Sequence, residues 1–384
     1  MNIHIITSSY PATPEDPSGT AGLFVRQFAL DLVGLGHRVI VQPVARKGQY
    51  RPDPGLTIVP SPWRGGDREL ASMSLASPRN WGVFLHYFIR GAANTVAINK
   101  AFSVDRALCM WAVPSGILGW LGRRRGRTPY DVWALGSDIW KVRRVPVLGR
   151  KVLTTVMRNA DRVFADGLQL CRDVNELTGV ACEFLPSSRR MPPPDAVPLE
   201  PGSSLRHLLF VGRYHPNKGA DLLVEAVACL PHEQRRWLRV HMFGLGPLED
   251  QLRGMIREMN LEGCVRLNGP IEAQEFSNYL AAVSFLAIPS RIESIPVVLS
   301  DALQLGTPVI SMPVGDLEPF VREHGCGVVA DDVSAEAFAS AITEALGRDR
   351  DSFREGVARA YERLDLRKAV ARWVSLREAT RPAA

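Results

Sequence analysis

Four glycine- and proline-punctuated segments hold the side chains with the most chemical reach. VGRYHPNKG, residues 211–219, puts Arg213 and Lys218 five residues apart on either side of a Pro-Asn turn. Two cations so spaced can clamp a diphosphate, the guanidinium forking two oxygens and the ammonium acting as a point charge. PSRIESIPVVLSDALQLGTPVI, residues 289–310, carries Glu293 and, eight residues on, Asp301. Glu293 precedes a helix pattern whose first position suits Pro296, and the positive end of that helix favours phosphate. Glu293 beside it can accept hydrogen bonds from sugar hydroxyls, and Asp301 from a ribose diol. GLGP, residues 244–247, begins at Gly244 in the same strand-to-helix setting, but a GxGxxG fingerprint needs glycine where Glu249 stands, which disfavours an NAD dehydrogenase. SSYPATPEDPSGTAG, residues 8–22, holds Gly19 and Gly22, which permit a ligand to approach the backbone closely. Solvated turn charges, and a carboxylate that complements the helix dipole, are the plainer readings of the same residues.

These loops need strands before them and helices after them. Ile3–Thr7, His37–Val44, Ala107–Trp111, Asp131–Leu135 and Arg162–Ala165 read as strands in the first half. Leu208–Val211, Val240–Phe243, Phe285–Ile288, Val309–Ile310 and Gly327–Val329 continue the series in the second. Helical spacing of apolar residues separates them, for instance Leu23, Phe24, Phe28, Leu32 and Leu35. Strand–helix alternation with continuous apolar strands predicts parallel sheets covered on both faces. Residues 186–204 contain six prolines in nineteen positions, which predicts an extended linker. The expected organisation is residues 1–185, linker 186–204, residues 205–364, and a helix over 365–384 packing back toward the first domain. Ligands of such sheets bind outside the carboxyl ends of the strands.

Composition bounds the rest. Of 384 residues, 46% are hydrophobic and 22% charged, a globular balance that excludes a collagen, a coiled coil or a wholly disordered chain. The six cysteines include no CxxC pair, which reads as reduced thiols in a cytoplasmic setting. No apolar run reaches the ~18–20 residues of a bilayer span, and NIHIIT reads as a first strand and not a signal peptide. Charge is uneven: residues 1–185 hold 23 Lys+Arg against 14 Asp+Glu, net +9, and residues 186–384 hold 23 against 26, net −3. The basic half contains Arg123, Arg124 and Arg125 beside Trp120, with Trp133 and Trp140 near further basic residues. An anionic membrane surface is the expected partner of that patch, reached peripherally from the cytoplasm; a solvated surface and a soluble anionic acceptor are the alternatives. Nucleic acid is not expected, since no reading motif accompanies the charge.

From VGRYHPNKG through GLGP to PSRIESIPVVLSDALQLGTPVI, the second half resembles the retaining glycosyltransferases of family 4, which have the GT-B fold of two Rossmann-like doubly wound domains facing across a cleft. PSGTAGLFVRQFALDLVGLGHRVIV, WAVPSG and GSDIW extend the resemblance over most of the chain. It implies transfer of a sugar from a nucleotide-diphosphate sugar, a co-substrate with no further cofactor and no metal, to a hydroxyl on a glycan or lipid-linked acceptor in cell-surface polysaccharide or glycolipid synthesis. Arg213 and Lys218 would hold the diphosphate, Glu293 the transferred sugar and Asp301 the ribose, with Gly19, Gly22, Gly244, Ser294, Ile295, Pro296 and Val297 completing the donor site. The family has Glu, seven residues, Glu; here the second position is Asp301. Many members have histidine where this chain has Leu135, which cannot hydrogen-bond, leaving Asp138 of the same loop as the catalytic candidate or a helix cap. A non-catalytic sugar-nucleotide-binding or partner-binding protein and a two-domain epimerase are the rival readings on the same scaffold.

Overall fold

The computed structural model describes residues 1–11, 22–45, 50, 53–66, 73, 77–140, 146–199 and 204–378. The chain divides into two compact units, Met1–Ser187 with Leu366–Ala384, and Ser188–Asp365.

The first unit is built on strands β1 (Asn2–Thr7), β2 (Arg38–Gln42), β3 (Leu56–Ile58), β4 (Arg106–Met110), β5 (Tyr130–Ala134), β6 (Arg162–Ala165) and β7 (Glu183–Phe184). All pair in parallel, in the order β3-β2-β1-β4-β5-β6-β7. Helices α1 (Leu23–Gly34), α2 (Pro78–Ala101), α3 (Ser115–Gly126), α4 (Ser137–Trp140), α5 (Pro146–Arg158) and α6 (Leu168–Thr178) supply the crossovers. In the second unit β8 (Arg206–Val211), β9 (Leu238–Phe243), β10 (Val265–Asn268), β11 (Phe285–Ile288), β12 (Val309–Ser311) and β13 (Gly327–Val329) form a second parallel sheet, ordered β10-β9-β8-β11-β12-β13. Its helices are α7 (Ala220–Cys229), α8 (His232–Arg236), α9 (Glu249–Glu258), α10 (Ala273–Ala282), α11 (Val297–Gln304), α12 (Leu317–His324), α13 (Ala335–Leu346) and α14 (Arg354–Leu364). The doubly wound parallel sheets expected from the alternation are therefore present. Strand β11, FLAI, is buried at every position, as a strand covered on both faces must be. Strands β3, β7 and β10 escape the sequence pattern because they are short and lie at or next to the sheet edges, where few apolar residues are needed.

Strand order reverses between β1 and β4 in one sheet and between β8 and β11 in the other. At such a reversal the two crossovers depart to opposite sides, leaving the strand exits uncovered. The loops after β8 and β11 are those that carry Lys218 and Glu293.

Helix α15 (Leu366–Glu378) belongs to the first unit although it ends the chain. Trp373 is fully buried in the core with Phe28 and Trp133, and its indole N–H donates to Asp131 at 3.2 Å. The proline-rich stretch is not a free tether. The backbone amide of Met191 donates to the Gln304 side chain, those of Asp195 and Ala196 donate to the Asn278 amide oxygen, and Gln274 donates to the Pro193 carbonyl. Polar side chains of α10 and α11 thus satisfy a segment that proline keeps out of helices and strands.

Replacing Trp373 by alanine should cost about 3–5 kcal/mol, the range for emptying a buried aromatic site. Urea unfolding followed separately for the two units would show the loss in the first; an unchanged midpoint would place Trp373 outside the core.

Candidate functional site

The site is assembled at the strand-order reversal of the second sheet. After β8 the chain turns through Tyr214, which is fully buried and donates its hydroxyl to the carbonyls of Met242 and Asn268 at 2.9 Å each. His215 then caps a 3-10 turn, Pro216–Lys218, by accepting from the Asn217 amide. Gly219 follows at φ +66°, and a Cβ there would collide with the Pro289 carbonyl at the exit of β11. Only glycine meets both demands, so Gly219 is what lets the two loops touch. Gly315, at φ +54°, does the same on the other side, its missing Cβ leaving room for the Glu293 carbonyl.

Between these glycines the Lys218 ammonium donates to a Glu293 carboxylate oxygen as a close ion pair. Both side chains keep contact with solvent, Lys218 at 31% and Glu293 at 15% exposure. Arg291 braces the pair. It donates to both Asp221 oxygens at 2.7 and 2.8 Å, to the Pro216 carbonyl at 2.7 Å, and by its backbone amide to Asn217 at 2.9 Å. Burial works against the Asp221 charge, but the guanidinium on both oxygens holds its carboxyl below the ordinary value. Arg213 is exposed, and no side-chain partner among the described residues holds it.

Helix α11 begins just past Glu293. Pro296 is its cap, with extended backbone, and not the first helical residue that the sequence position suggested. Ser294, Ile295 and Pro296 are buried, and the Ser294 hydroxyl has no hydrogen-bond partner among the described residues. An orphaned hydroxyl beside unpaired amides at a helix start is a donor cluster suited to an anion.

Asp301, the residue expected to meet the ribose, is held by an arginine of the same unit. It is fully buried on α11, and Arg189 grips both of its oxygens at 2.8 to 3.2 Å. Burial pushes its carboxyl above the usual value against the pull of Arg189, while Arg189, despite its own burial, is held protonated more firmly than a free arginine. Aspartate is one carbon shorter than glutamate, and the carboxylate stays within the protein's own ion pair. Both Asp301 oxygens are thus met by Arg189 in this structure.

Three other expected residues make contacts within the protein. The Gly244 amide is committed to the Gly269 carbonyl at 3.0 Å, and a Cβ at Gly244 would meet the Gly212 carbonyl. Its smallness serves loop-on-loop packing. Gly22 caps α1 and lies against the backbone of Tyr10, where a Cβ would clash; Gly19 lies outside the described residues. Asp138, in the first unit, accepts the amides of Ala112 at 2.5 Å and Leu135 at 3.1 Å. Burial pushes its carboxyl up to about 6 against the pull of those amides. Through these two amides Asp138 ties together the loops after β4 and β5. Val297 opens α11 as expected.

Sequence reasoning missed Arg189, Arg291, Gly219 and Gly315. Arg291 was legible as a third cation beside Glu293, and Gly219 as the glycine that ends NKG; the pairing of Arg189 with Asp301 spans 112 positions and left no local signal. A cavity of about 480 Å³ in the same unit lies at the opposite end of the sheet, beside His207 at the start of β8 and Ser284 ahead of β11. It shares no residue with the site described.

Residues 199–361 match the family model of group 1 glycosyl transferases. The D-inositol 3-phosphate glycosyltransferase of Kineococcus radiotolerans is 39% identical over 129 residues, which cover 31% of this chain and 29% of that protein. Its counterpart from Nocardia farcinica is 29% identical over 275 residues, 64% of this chain and 59% of that one. The chain thus spans less than two thirds of the length of these relatives. Among solved structures, the sucrose-phosphate synthase of Thermosynechococcus elongatus superposes with a TM-score of 0.78 at 19% identity, covering 99% of this chain and 98% of that one. HepE of Anabaena, solved with UDP and glucose, superposes with a TM-score of 0.71 at 16% identity, covering 99% and 100%. These likenesses show the fold, GT-B.

Removing the Arg189 guanidinium would strand a buried carboxylate, so Arg189→Ala should destabilise the second unit by about 3–5 kcal/mol. Adding Asp301→Asn to that variant should recover part of the loss in a denaturant titration. Additive losses would show that the two side chains do not act as a pair.

Proposed function

We propose that this chain is a retaining glycosyltransferase that takes a sugar from a nucleotide-diphosphate sugar and passes it to a hydroxyl of a glycan or lipid-linked acceptor, in cell-surface polysaccharide or glycolipid synthesis at the cytoplasmic face of a membrane. The single observation that carries the reading is the Lys218–Glu293 ion pair at the strand-order reversal, next to the start of α11. The match of residues 199–361 supports it, as do neighbours of the same fold solved with UDP or UDP-glucose.

The chemistry follows from what each group can do. A diphosphate entering the loops competes with Glu293 for Lys218, and meets Arg213, the Ser294 hydroxyl and the amides that open α11. Glu293, released from the ammonium, accepts from hydroxyls of the sugar. As the bond between the anomeric carbon and the phosphate oxygen breaks, its electron pair passes to that oxygen. Negative charge therefore grows where the two cations and the helix dipole already point. The acceptor oxygen attacks the same face of the sugar, and its proton goes to the departing phosphate. This assigns no base to the protein, which accords with Leu135 at the family's histidine position and with Asp138 tied to backbone amides. Those two features also favour, as a second reading, a protein that binds the donor without turning it over.

A thermal-shift screen of UDP-, GDP- and ADP-sugars separates the readings. A true donor at 100 times its dissociation constant should stabilise by about 2.7 kcal/mol, and release of nucleoside diphosphate from it should be measurable. Binding with no release would leave the non-catalytic reading standing; no binding by any nucleotide sugar would remove both. Lys218→Ala should lower catalytic efficiency roughly tenfold to hundredfold, as loss of one charge-assisted bond implies, and unchanged donor kinetics would take Lys218 out of the site. Turnover should persist in EDTA, because fixed cations meet the leaving charge; activity abolished by EDTA and restored by Mn²⁺ would contradict that assignment.

A further inference from the structure

Four residues other than glycine have a positive φ among the described residues: Ser103, Trp111, Arg127 and Asn260. Three of them lie just past the end of a helix, α2, α3 or α9, where a left-handed residue is the ordinary way to stop it. Trp111, at φ +70°, instead leaves strand β4. A bulky residue in that region is an outlier, and such a conformation persists only where its surroundings over-determine it. Here they do so at three points. The Trp111 amide donates to the Trp133 carbonyl at 2.9 Å, and the Trp111 carbonyl accepts the Gly116 amide at 3.2 Å. The next amide, that of Ala112, donates to Asp138, whose carboxylate also accepts from the Leu135 amide. The exits of adjacent strands β4 and β5 are thereby tied together, and the Trp111 and Leu135 side chains lie half-buried against one core cluster.

The fixing engages the Trp111 backbone and leaves much of the indole uncommitted. Its one aromatic neighbour among the described residues is Phe24, at 60° with ring centroids 6.0 Å apart, so no ring stacks parallel on it. Its N–H meets no acceptor among the described residues. The tryptophans grouped with the basic patch are engaged differently. Trp133 is fully buried and donates to the Leu185 carbonyl at 3.0 Å, Trp140 donates to Asp173 at 3.2 Å, and the Arg124 guanidinium lies over the Trp120 ring at 5.3 Å. Trp111 also stands where strand order reverses in the first sheet, β1 against β4, the place where ligands of such sheets bind.

An aromatic face is electron-rich and its edge electron-poor. The C–H bonds on one face of a pyranose, polarised by the oxygens of the sugar, complement the indole face, and the indole N–H can donate to a sugar hydroxyl. An open carbon chain with the same hydroxyls offers no such flat array of C–H bonds. Leu135, which cannot hydrogen-bond, adds apolar surface at the next strand exit.

We propose that the Trp111 indole is the platform on which the acceptor stacks, and that it selects an acceptor ending in a closed pyranose ring. The word acceptor rests on the proposed glycosyl transfer; the stacking itself is testable without turnover. The purified chain is titrated with methyl β-glucopyranoside, with methyl β-galactopyranoside and with the open-chain alditol sorbitol. Binding is read by saturation-transfer NMR and by tryptophan fluorescence. At least one glycoside should bind, and sorbitol should not. Trp111→Leu should weaken glycoside binding roughly tenfold, the upper worth of an aromatic contact, and Trp111→Phe should retain most of it. The fluorescence change that the glycoside causes in wild type should vanish in Trp111→Phe, a readout that stands even where the leucine variant fails to fold. Absence of binding by both glycosides would overturn the proposal. So would sorbitol binding equal to theirs, full glycoside affinity in a folded Trp111→Leu, or a fluorescence change that persists in Trp111→Phe. Glycoside binding that depends on Trp111, in a chain that transfers sugar from no nucleotide donor, would support the platform and count against the transfer.

Discussion

Two loops that leave neighbouring strands in opposite directions must come within ion-pair distance of each other, and Gly219 is the residue that permits it. Any side chain at that position would press on the Pro289 carbonyl, and its left-handed backbone would be strained besides. With glycine there, the turn that carries Lys218 lies against the loop that carries Glu293, and Arg291 fastens one to the other through Asp221 and Pro216. The brace and the pair are differently made. Arg291 forks a carboxylate with two near-parallel bonds and also holds a carbonyl, which fixes geometry. Lys218 meets Glu293 as a point charge on a flexible stem, which can exchange partners.

That difference separates the pair that the proposed function assigns to ligand from the one held within the fold. The Arg189–Asp301 pair is buried, with both carboxylate oxygens engaged. Opening it would expose an unpaired charge to a low-dielectric interior, so it stays closed. The Lys218–Glu293 pair keeps contact with water, and pairs so placed contribute little stability. In the proposed reading an incoming diphosphate displaces Glu293 at small cost, because the ammonium trades one anion for another, and the exchange frees Glu293 to receive sugar hydroxyls. The contact would then hold the two groups in a mutually neutral state until a ligand separates them.

Much of this was legible in the sequence, for stated reasons. Parallel strands buried on both faces must be continuous apolar runs, and Leu208–Val211, Phe285–Ile288 and Arg162–Ala165 declared themselves in that way. Lys218 and Glu293 were findable because each lies in a loop directly after such a strand. Legibility failed where a residue's role depends on what packs against it. Asp301 and Asp138 looked like groups for substrate because their types and loops fit, yet partners 112 and 26 positions away occupy their oxygens. Gly22 and Gly244 looked like ligand-facing glycines, and their open sides face the protein's own backbone. Trp133 looked like an interfacial tryptophan and is core.

In the proposed reading Glu293 holds Lys218 only until a diphosphate arrives. Calorimetric titration of UDP, GDP and ADP into the wild-type protein and the Glu293→Gln variant tests this most directly. If the pair is a store that must be opened, the variant binds the preferred nucleoside diphosphate at least as tightly as wild type, while donor turnover is lost. If Glu293→Gln weakens nucleoside diphosphate binding as much as Lys218→Ala does, Glu293 is part of the phosphate site itself and the exchange does not occur.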